Sequence, residues 1–395
     1  MKKHSNCIER LENRIAPAAF AALANMREGD VIHRAEAAPG GAGSIEFASA
    51  ISYDVDHKAV SLAVGDVNGD GFRDLLTLSK ASASISILSG SADGAFGDLK
   101  SFSTGGKKPN SFVLRDFDKD GDLVIAVSNA GSKEIAVLTN DGMGNYSVEA
   151  TIPAGPKLAA LEVRDLNGDG ARDLIGISGG SKLVIFVNDG LGGFTPREPI
   201  ATGGRGGVQL LMEDFNGDGA VDVTVANAGS GNVSFLAGAG AGQFAAPLLI
   251  PAGKHPTALT AADFNGDSVL DFAVADRTSK FIGVFLGAGI AGPSPFEPMM
   301  QIPYAGKKAP VAIEAADLDA DGWVDLIVAN GSAHSFIVLR GQADAVFTAP
   351  REFVYCDDPH CQPAAMALSD LNGDGLLDIA LASRGSSHVD VVFRT

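Results

Sequence analysis

The 395-residue chain has three cysteines, one tryptophan and no run of 18 apolar residues. So few cysteines exclude a scaffold built from disulfides, and without a long apolar run no helix is expected to span a membrane. Positive charge is scarce too, with 30 Lys and Arg against 48 Asp and Glu and a net charge of −18. That balance excludes a protein that coats nucleic acid through its phosphates. Glycine, by contrast, is abundant, at 49 residues against 18 prolines. The glycines keep no three-residue period, which excludes collagen, and a hydrophobic content of 46% excludes wholesale disorder. Many short strands joined by tight turns suit this composition.

A nine-residue segment, Asp-x-Asn/Asp-x-Asp-Gly-x-x-Asp with two variants, recurs seven times. Copies start at Asp66, Asp116, Asp165, Asp214, Asp263, Asp317 and Asp370, at steps of 50, 49, 49, 49, 54 and 53 residues. Such constancy means one repeated structural unit. Each unit reads as four strands, shown by 258–262, 222–226, 232–236 and 244–250, with period-two alternation, short length and Gly or Ser at the turns. Four strands seven times over predict an all-β, seven-bladed propeller. The chain stops after a third strand (His388 to Phe393), and Gly43 to Tyr53 reads as an orphan fourth strand. The N-terminal strand is therefore expected to complete the last blade and close the ring. A solenoid of stacked hairpins, the other reading, needs no such split.

These Asp-rich loops, with Phe-Thr-Ala-Pro at 347–350 and Phe-Ala-Ala-Pro at 244–247, resemble FG-GAP/VCBS repeats, the calcium-carrying blades of integrin α-subunit propellers and of many secreted bacterial proteins. The resemblance covers residues 43–395. It implies an adhesion or binding module, since relatives include adhesion proteins, lectins and domains appended to enzymes.

Calcium takes six to eight oxygens, which carboxylates at alternate loop positions supply. Side chains at positions 1, 3, 5 and 9 and the carbonyl at position 7 are the candidate ligands, with glycine at position 6 allowing a positive φ. Five loops match fully: Asp66, Asn68, Asp70, Phe72 and Asp74; Asp165, Asn167, Asp169, Ala171 and Asp173; Asp214, Asn216, Asp218, Ala220 and Asp222; Asp317, Asp319, Asp321, Trp323 and Asp325; and Asp370, Asn372, Asp374, Leu376 and Asp378. The fifth loop (Asp263, Asn265, Asp267, Val269, Asp271) has Ser268 in place of glycine, so weaker binding is expected. The second (Asp116, Asp118, Asp120) has Asp122 at position 7 and Val124 at position 9, the poorest match. Flanking strands, and no Glu at position 12, exclude an EF-hand. Five to six structural Ca²⁺ ions are expected. Asx turns with solvated acids are the competing reading, but crowded carboxylates repel one another without a cation.

In a propeller these loops and the strand 3–4 turns share one face. The other face receives the 4–1 connections, with Lys58, Lys107, Lys108, Lys157, Arg205, Lys254, His255, Lys307 and Lys308, and the 2–3 turns, with Lys80, Lys133, Lys182, Arg277, Lys280 and Arg384. Their 14 Lys and Arg make a basic rim on an acidic protein, a candidate site for anionic glycans; loop lysines that only aid solubility are the plainer explanation. Gly176 to Gly180 and Gly287 to Gly292 spell a nucleophile elbow and a dinucleotide fingerprint, but neither opens a helix, so both read as turns. No catalytic constellation emerges. Cys356 and Cys361 read as a loop disulfide, suited to an oxidising compartment, or as part of a metal site with His360. Trp323 is expected to pack over its hairpin.

Met1 to Lys3, Ile15 to Ala24 and the Ala22-Leu23-Ala24 cleavage site suggest a targeting segment over 1–24, with a flexible lead-in over 25–42 and the propeller over 43–395. The expectation is a secreted or cell-surface bacterial protein, monomeric and without catalysis, whose partner is an extracellular glycan or protein. Two alternatives stand beside it. One is a lectin with sugar pockets between blades; the other is a polysaccharide-acting enzyme, a lyase or dehydratase, working at the channel mouth.

Overall fold

The structure, a computed structural model, describes residues 44–279, 281–289, 294–304, 309–331, 333–356 and 360–395. The targeting segment, the lead-in, Gly43, Lys280, Lys307, Lys308 and residues 357–359 lie outside the described residues. Seven antiparallel sheets follow one another along the chain, each a blade. Their first strands are Ala59–Gly65, Pro109–Arg115, Leu161–Arg164, Gly207–Glu213, Pro256–Ala262, Pro310–Ala316 and Pro363–Ser369.

Every residue of every second strand, from Asp74–Ser79 to Asp378–Ser383, is buried. These strands read as continuous Val, Ile, Leu and Ala because both faces of each sheet are covered by a neighbouring blade. Outer strands have lost one cover and alternate, as in Leu248–Pro251. Seven apolar clusters fill the seven junctions between neighbouring blades. One joins Leu75 and Leu88 of blade 1 to Ala380 and Val391 of blade 7, so the ring is closed.

Closure follows the expected route over a shorter span. Ile51–Asp54 pairs with His388–Val392 as the outer strand of blade 7. Ahead of it, Phe47 bridges Arg394 and stacks edge-on against Phe336 and Phe353, while Arg351 donates to Glu46 at 2.7 Å. The long repeat steps have local causes: a longer 3–4 turn after Phe285 in blade 5, and the connection holding Cys356 and Cys361. The outer strand of blade 3 is split into Phe194–Pro196 and Ile200–Ala201, with Pro199, which has no N–H to give a ladder, between them.

Deleting residues 1–54 leaves His388–Val392 as an open edge. We expect a loss of about 3–5 kcal/mol by equilibrium unfolding, with self-association through the bared strand. A truncated protein that unfolds like its parent and stays monomeric would show that the ring does not depend on this strand.

Candidate functional site

Each Asp-rich loop folds around its own backbone. In the first, Asp66 accepts from the N–H of Gly69 (2.7 Å) and Gly71 (3.0 Å), Asn68 from Asp70 N–H (3.0 Å), and Asp70 from Phe72 N–H (2.8 Å). The Asn68 amide also donates to Asp70 (2.9 Å). Gly71 takes φ +90°, which glycine adopts freely. In the fifth loop Ser268 bears that backbone at φ +69°, and its N–H still reaches Asp263 at 2.8 Å.

The position-9 aspartate also has a structural task. It is fully buried in six loops, and both its oxygens accept backbone amides. Asp222 takes the N–H of Phe215 (3.0 Å), at position 2 of its own loop, and of Gly238 (2.7 Å), just beyond the third strand. Asp74, Asp173, Asp271, Asp325 and Asp378 do the same. Burial pushes these carboxyls up, to about 6 at Asp74, Asp222 and Asp378 and about 7 at Asp271 and Asp325; the amides pull back and the other loop aspartates add to the rise. Val124 replaces the clamp in the second loop, where Tyr146 Oη donates to Leu123 O at 2.7 Å.

Position 2 carries a contact that reading for oxygens missed. Val67, Phe117, Leu166, Phe215, Phe264, Leu318 and Leu371 are all buried. The carbonyls of Val67, Phe117 and Leu166 accept from Asn140, Asn188 and the Gly242 N–H of the next blade. The sequence signal was an apolar residue at one fixed place in all seven copies.

Two loops bring three carboxylates within 4.8 Å of one another: Asp116, Asp118 and Asp120, and Asp317, Asp319 and Asp325. In both, position 3 is Asp, and one buried oxygen of Asp118 and of Asp319 has no hydrogen-bond partner. Hard, uncompensated oxygens of this kind fit a cation such as calcium. The second loop, the poorest match by pattern, thus gathers its acids well. In the sixth, Arg340 pairs with Asp319 and lies 3.7 Å from Asp321, a built-in cation between two candidate ligands. Trp323 does not lie on its own hairpin alone: its ring covers Gly266 of the neighbouring loop.

The opposite face opens into the central channel, a cavity of about 910 Å³ lined by the first strands. Six of those strands begin with a bulge, helped where the first residue is a proline without an N–H. The bulges turn Val60, Asn110, Val208, Thr257, Val311 and Ala364 into the channel. Lys58, Lys80, Arg277 and Arg384 stand at this mouth. Lys80 Nζ donates to Asn110 Oδ1 at 2.6 Å. Burial, then Arg384 and Lys108, push Lys80 down, and burial and Arg277 push Arg384 down, so like charges are crowded here.

Of the rim residues expected on the 4–1 connections, Lys58 alone among the described ones lines the channel, whereas Lys80, Arg277 and Arg384 of the 2–3 turns all do. Lys107, Lys108, Lys157, Arg205, Lys254 and His255 are exposed around it, because their connections are pinned against the 2–3 turns. Ser132 accepts from Lys107 N–H (2.7 Å), Ser230 from Arg205 N–H (3.0 Å), and Asp276 from the N–H of Lys254 and His255 (2.5 and 2.7 Å). Neither His255 nor His360 reaches the channel. Lys58, Lys108 and Lys157 occupy one repeat position, eight residues before the loop, in the left-handed region (φ 65°, 51° and 54°), where blade 4 has Gly206. Cys356 and Cys361 form the disulfide, S–S 2.01 Å, so they do not make a metal site with His360.

Deeper in, the channel holds acids that the sequence search for clustered motifs passed over. Glu162 and Glu314 line it, each three residues before its loop aspartate, in blades 3 and 6. Arg115, also channel-lining, is buried, and Arg164 pairs with buried Glu213 at 3.0 Å. Burial pushes Glu162 and Glu213 up to about 7, against the pull of Arg115 and Arg164 on the first and Arg164 on the second. For Glu314 the available signal was a charge inside a strand otherwise built of small and apolar residues, whereas Glu162 shares its short strand with Arg164.

Fold and loops together define a closed seven-bladed propeller with an acidic loop on every blade. The chain belongs to the FG-GAP-like repeat family, whose sequence pattern matches residues 66–127, 116–176, 165–223, 214–274 and 317–381, and its acidic clusters are consistent with that family's calcium sites. The unmatched stretch between loops five and six holds the long turn of blade 5. No curated protein matches the sequence. Among solved structures, BBS1N, crystallised with ARL6DN and soaked with lead, is similar with a TM-score of 0.63 and 12% identity over 88% of this chain and 97% of that one. An Agrocybe aegerita lectin, described as recognising non-reducing terminal N-acetylglucosamine, gives 0.56 and 16% over 87% and 97%. A functionally unknown protein from Desulfotomaculum acetoxidans gives 0.54 and 12% over 75% and 86%.

Asp222→Ala leaves two buried N–H groups without acceptors and should cost about 2–5 kcal/mol by denaturant unfolding, with Asp222→Asn costing less. A change under about 0.5 kcal/mol in the alanine variant would refute the clamp.

Proposed function

We propose that this chain is a calcium-fastened binding module of the cell exterior that holds an anionic glycan at the basic mouth of its channel. The observation that carries the reading is the convergence of Lys58, Lys80, Arg277 and Arg384 on one end of the cavity, in a protein of net charge −18. Solubility alone gives no reason to crowd cations on the face away from the acidic loops. The left-handed lysines add support. A non-glycine residue there costs roughly 1 kcal/mol, and such strain is retained where a side chain has a use. Calcium would take oxygens from loop positions 1, 3 and 5, displacing the internal hydrogen bonds of the Asn amides. The Cys356–Cys361 disulfide favours an oxidising compartment.

A lectin with pockets between blades is the second reading, favoured by the likeness to the Agrocybe aegerita protein. The two differ in stoichiometry: one ligand per ring at the channel, several between blades. BBS1N, held in a complex with ARL6DN, shows the same fold serving a protein partner.

Excess chelator should lower the melting temperature of the intact protein, and readdition of Ca²⁺ should restore it; an indifferent melt would remove calcium from the reading. Binding to heparin or polygalacturonate should weaken steeply between 50 and 300 mM salt. Lys58→Gly, Lys108→Gly and Lys157→Gly combined should leave stability equal or slightly raised while weakening that binding at least tenfold. Binding insensitive to both changes would overturn the basic mouth as the site.

A further inference from the structure

The channel continues beyond its basic mouth, and its wall changes character with depth. Five residues before each loop stand Ser61, Ser111, Ala160, Ala258, Ala312 and Ala365, all in the channel lining. The seventh residue at that level, Gln209, is tied to the main chain of Leu259 by two hydrogen bonds, at 2.8 and 3.2 Å. This level is therefore kept open by small side chains. One step deeper, at the level three residues before the loops, the only acids are Glu162 and Glu314. With blades 3 and 6 three apart in a ring of seven, the two stand on nearly opposite walls. The rise of an extended strand puts them roughly 15 Å deeper than the level of Lys58.

Glu314 is the unsatisfied member. The residue lines the channel and is only partly buried, yet its Oε2, turned into the wall, has no hydrogen-bond partner among the described residues. A buried polar atom left without a partner costs about 1–3 kcal/mol, and nothing in the packing requires a glutamate among the alanines and valines around it. Burial first, and then Glu162 across the channel, push its carboxyl well above the ordinary range. A carboxyl held toward its neutral form can donate as well as accept a hydrogen bond, which suits a hydroxyl or an amide.

We infer that the channel seats one end of an acidic oligosaccharide: its anionic groups are held by Lys58, Lys80, Arg277 and Arg384, and the hydroxyls of the leading unit reach Glu314 and Glu162. This rests on the basic-mouth reading and adds that recognition is of a chain end, with one end per ring. Internal segments of a long chain then contribute only charge at the rim.

The test is calorimetric titration of the full chain in Ca²⁺ with trigalacturonate and with an oligogalacturonate of about ten units. One site per chain is expected, with molar affinities within about threefold of each other, because the trimer already supplies the end. Glu314→Leu should raise the melting temperature by removing the unpartnered oxygen, yet weaken trimer binding about ten- to a hundredfold; Glu314→Gln, which keeps a donor and an acceptor, should stay within about threefold of the parent. If Glu314→Leu binds the trimer as the parent does while Lys80→Ala with Arg384→Ala abolishes binding, the ligand sits on the rim: the channel inference falls and the basic mouth stands. If none of these changes matters, both fall. Affinity rising in proportion to chain length would likewise overturn end recognition.

Discussion

In six of the seven blades a buried carboxylate that accepts two backbone amides holds the blade together. The aspartate at the start of the second strand is out of reach of water, so its charge has only the N–H of the loop's second residue and an N–H beyond the third strand to rest on. One side chain thus fixes the loop, the first hairpin and the end of the third strand in a single geometry. The loop's position 2 is then aimed at the neighbouring blade, where its side chain is buried and its carbonyl is met. Local loop geometry and the join between blades are in this way one constraint. Breaking the clamp leaves amides bare in a place where water cannot replace the carboxylate, which is costlier than any exposed ion pair on the surface.

Much of this was legible in the sequence because the repeat averages over noise. Seven copies at a nearly fixed step identify strands that any one copy, such as the short Leu161–Arg164, would leave ambiguous. The closing N-terminal strand was legible because the last unit lacks one. Other features were not, for physical reasons. Alternation distinguishes inside from outside, but the second strands are covered on both sides, and nothing in a row of acids marks the one that is buried and holds backbone amides. Spacing shows where a side chain starts, not where a long one ends, so Lys80 and Arg384, from turns set back from the axis, reach the channel while His255 does not. Glu162 and Glu314 lie about 150 residues apart in sequence, and only ring closure brings them to one level.

The two faces divide the work of the fold. On one, carboxylates are gathered near backbone amides, and in the sixth loop Arg340 supplies a cation of the protein's own. On the other, cations crowd until burial and mutual repulsion lower the affinity of Lys80 and Arg384 for their protons. Neither arrangement is what a neutral, solvated surface would settle into. The strands between them are ordinary and interchangeable; the chemistry is carried by side chains at strand ends.

The ring is locked by an antiparallel pair in which Ile51 faces Val391 and Asp54 faces His388, and Thr395 N–H reaches back to Glu46. Both ends of the described chain therefore leave the ring from the same end of that pair. Tension applied through them loads the lock as a zipper, one hydrogen bond at a time, and not in shear, where all the bonds would share the force. Held by its two ends, the protein would open there first.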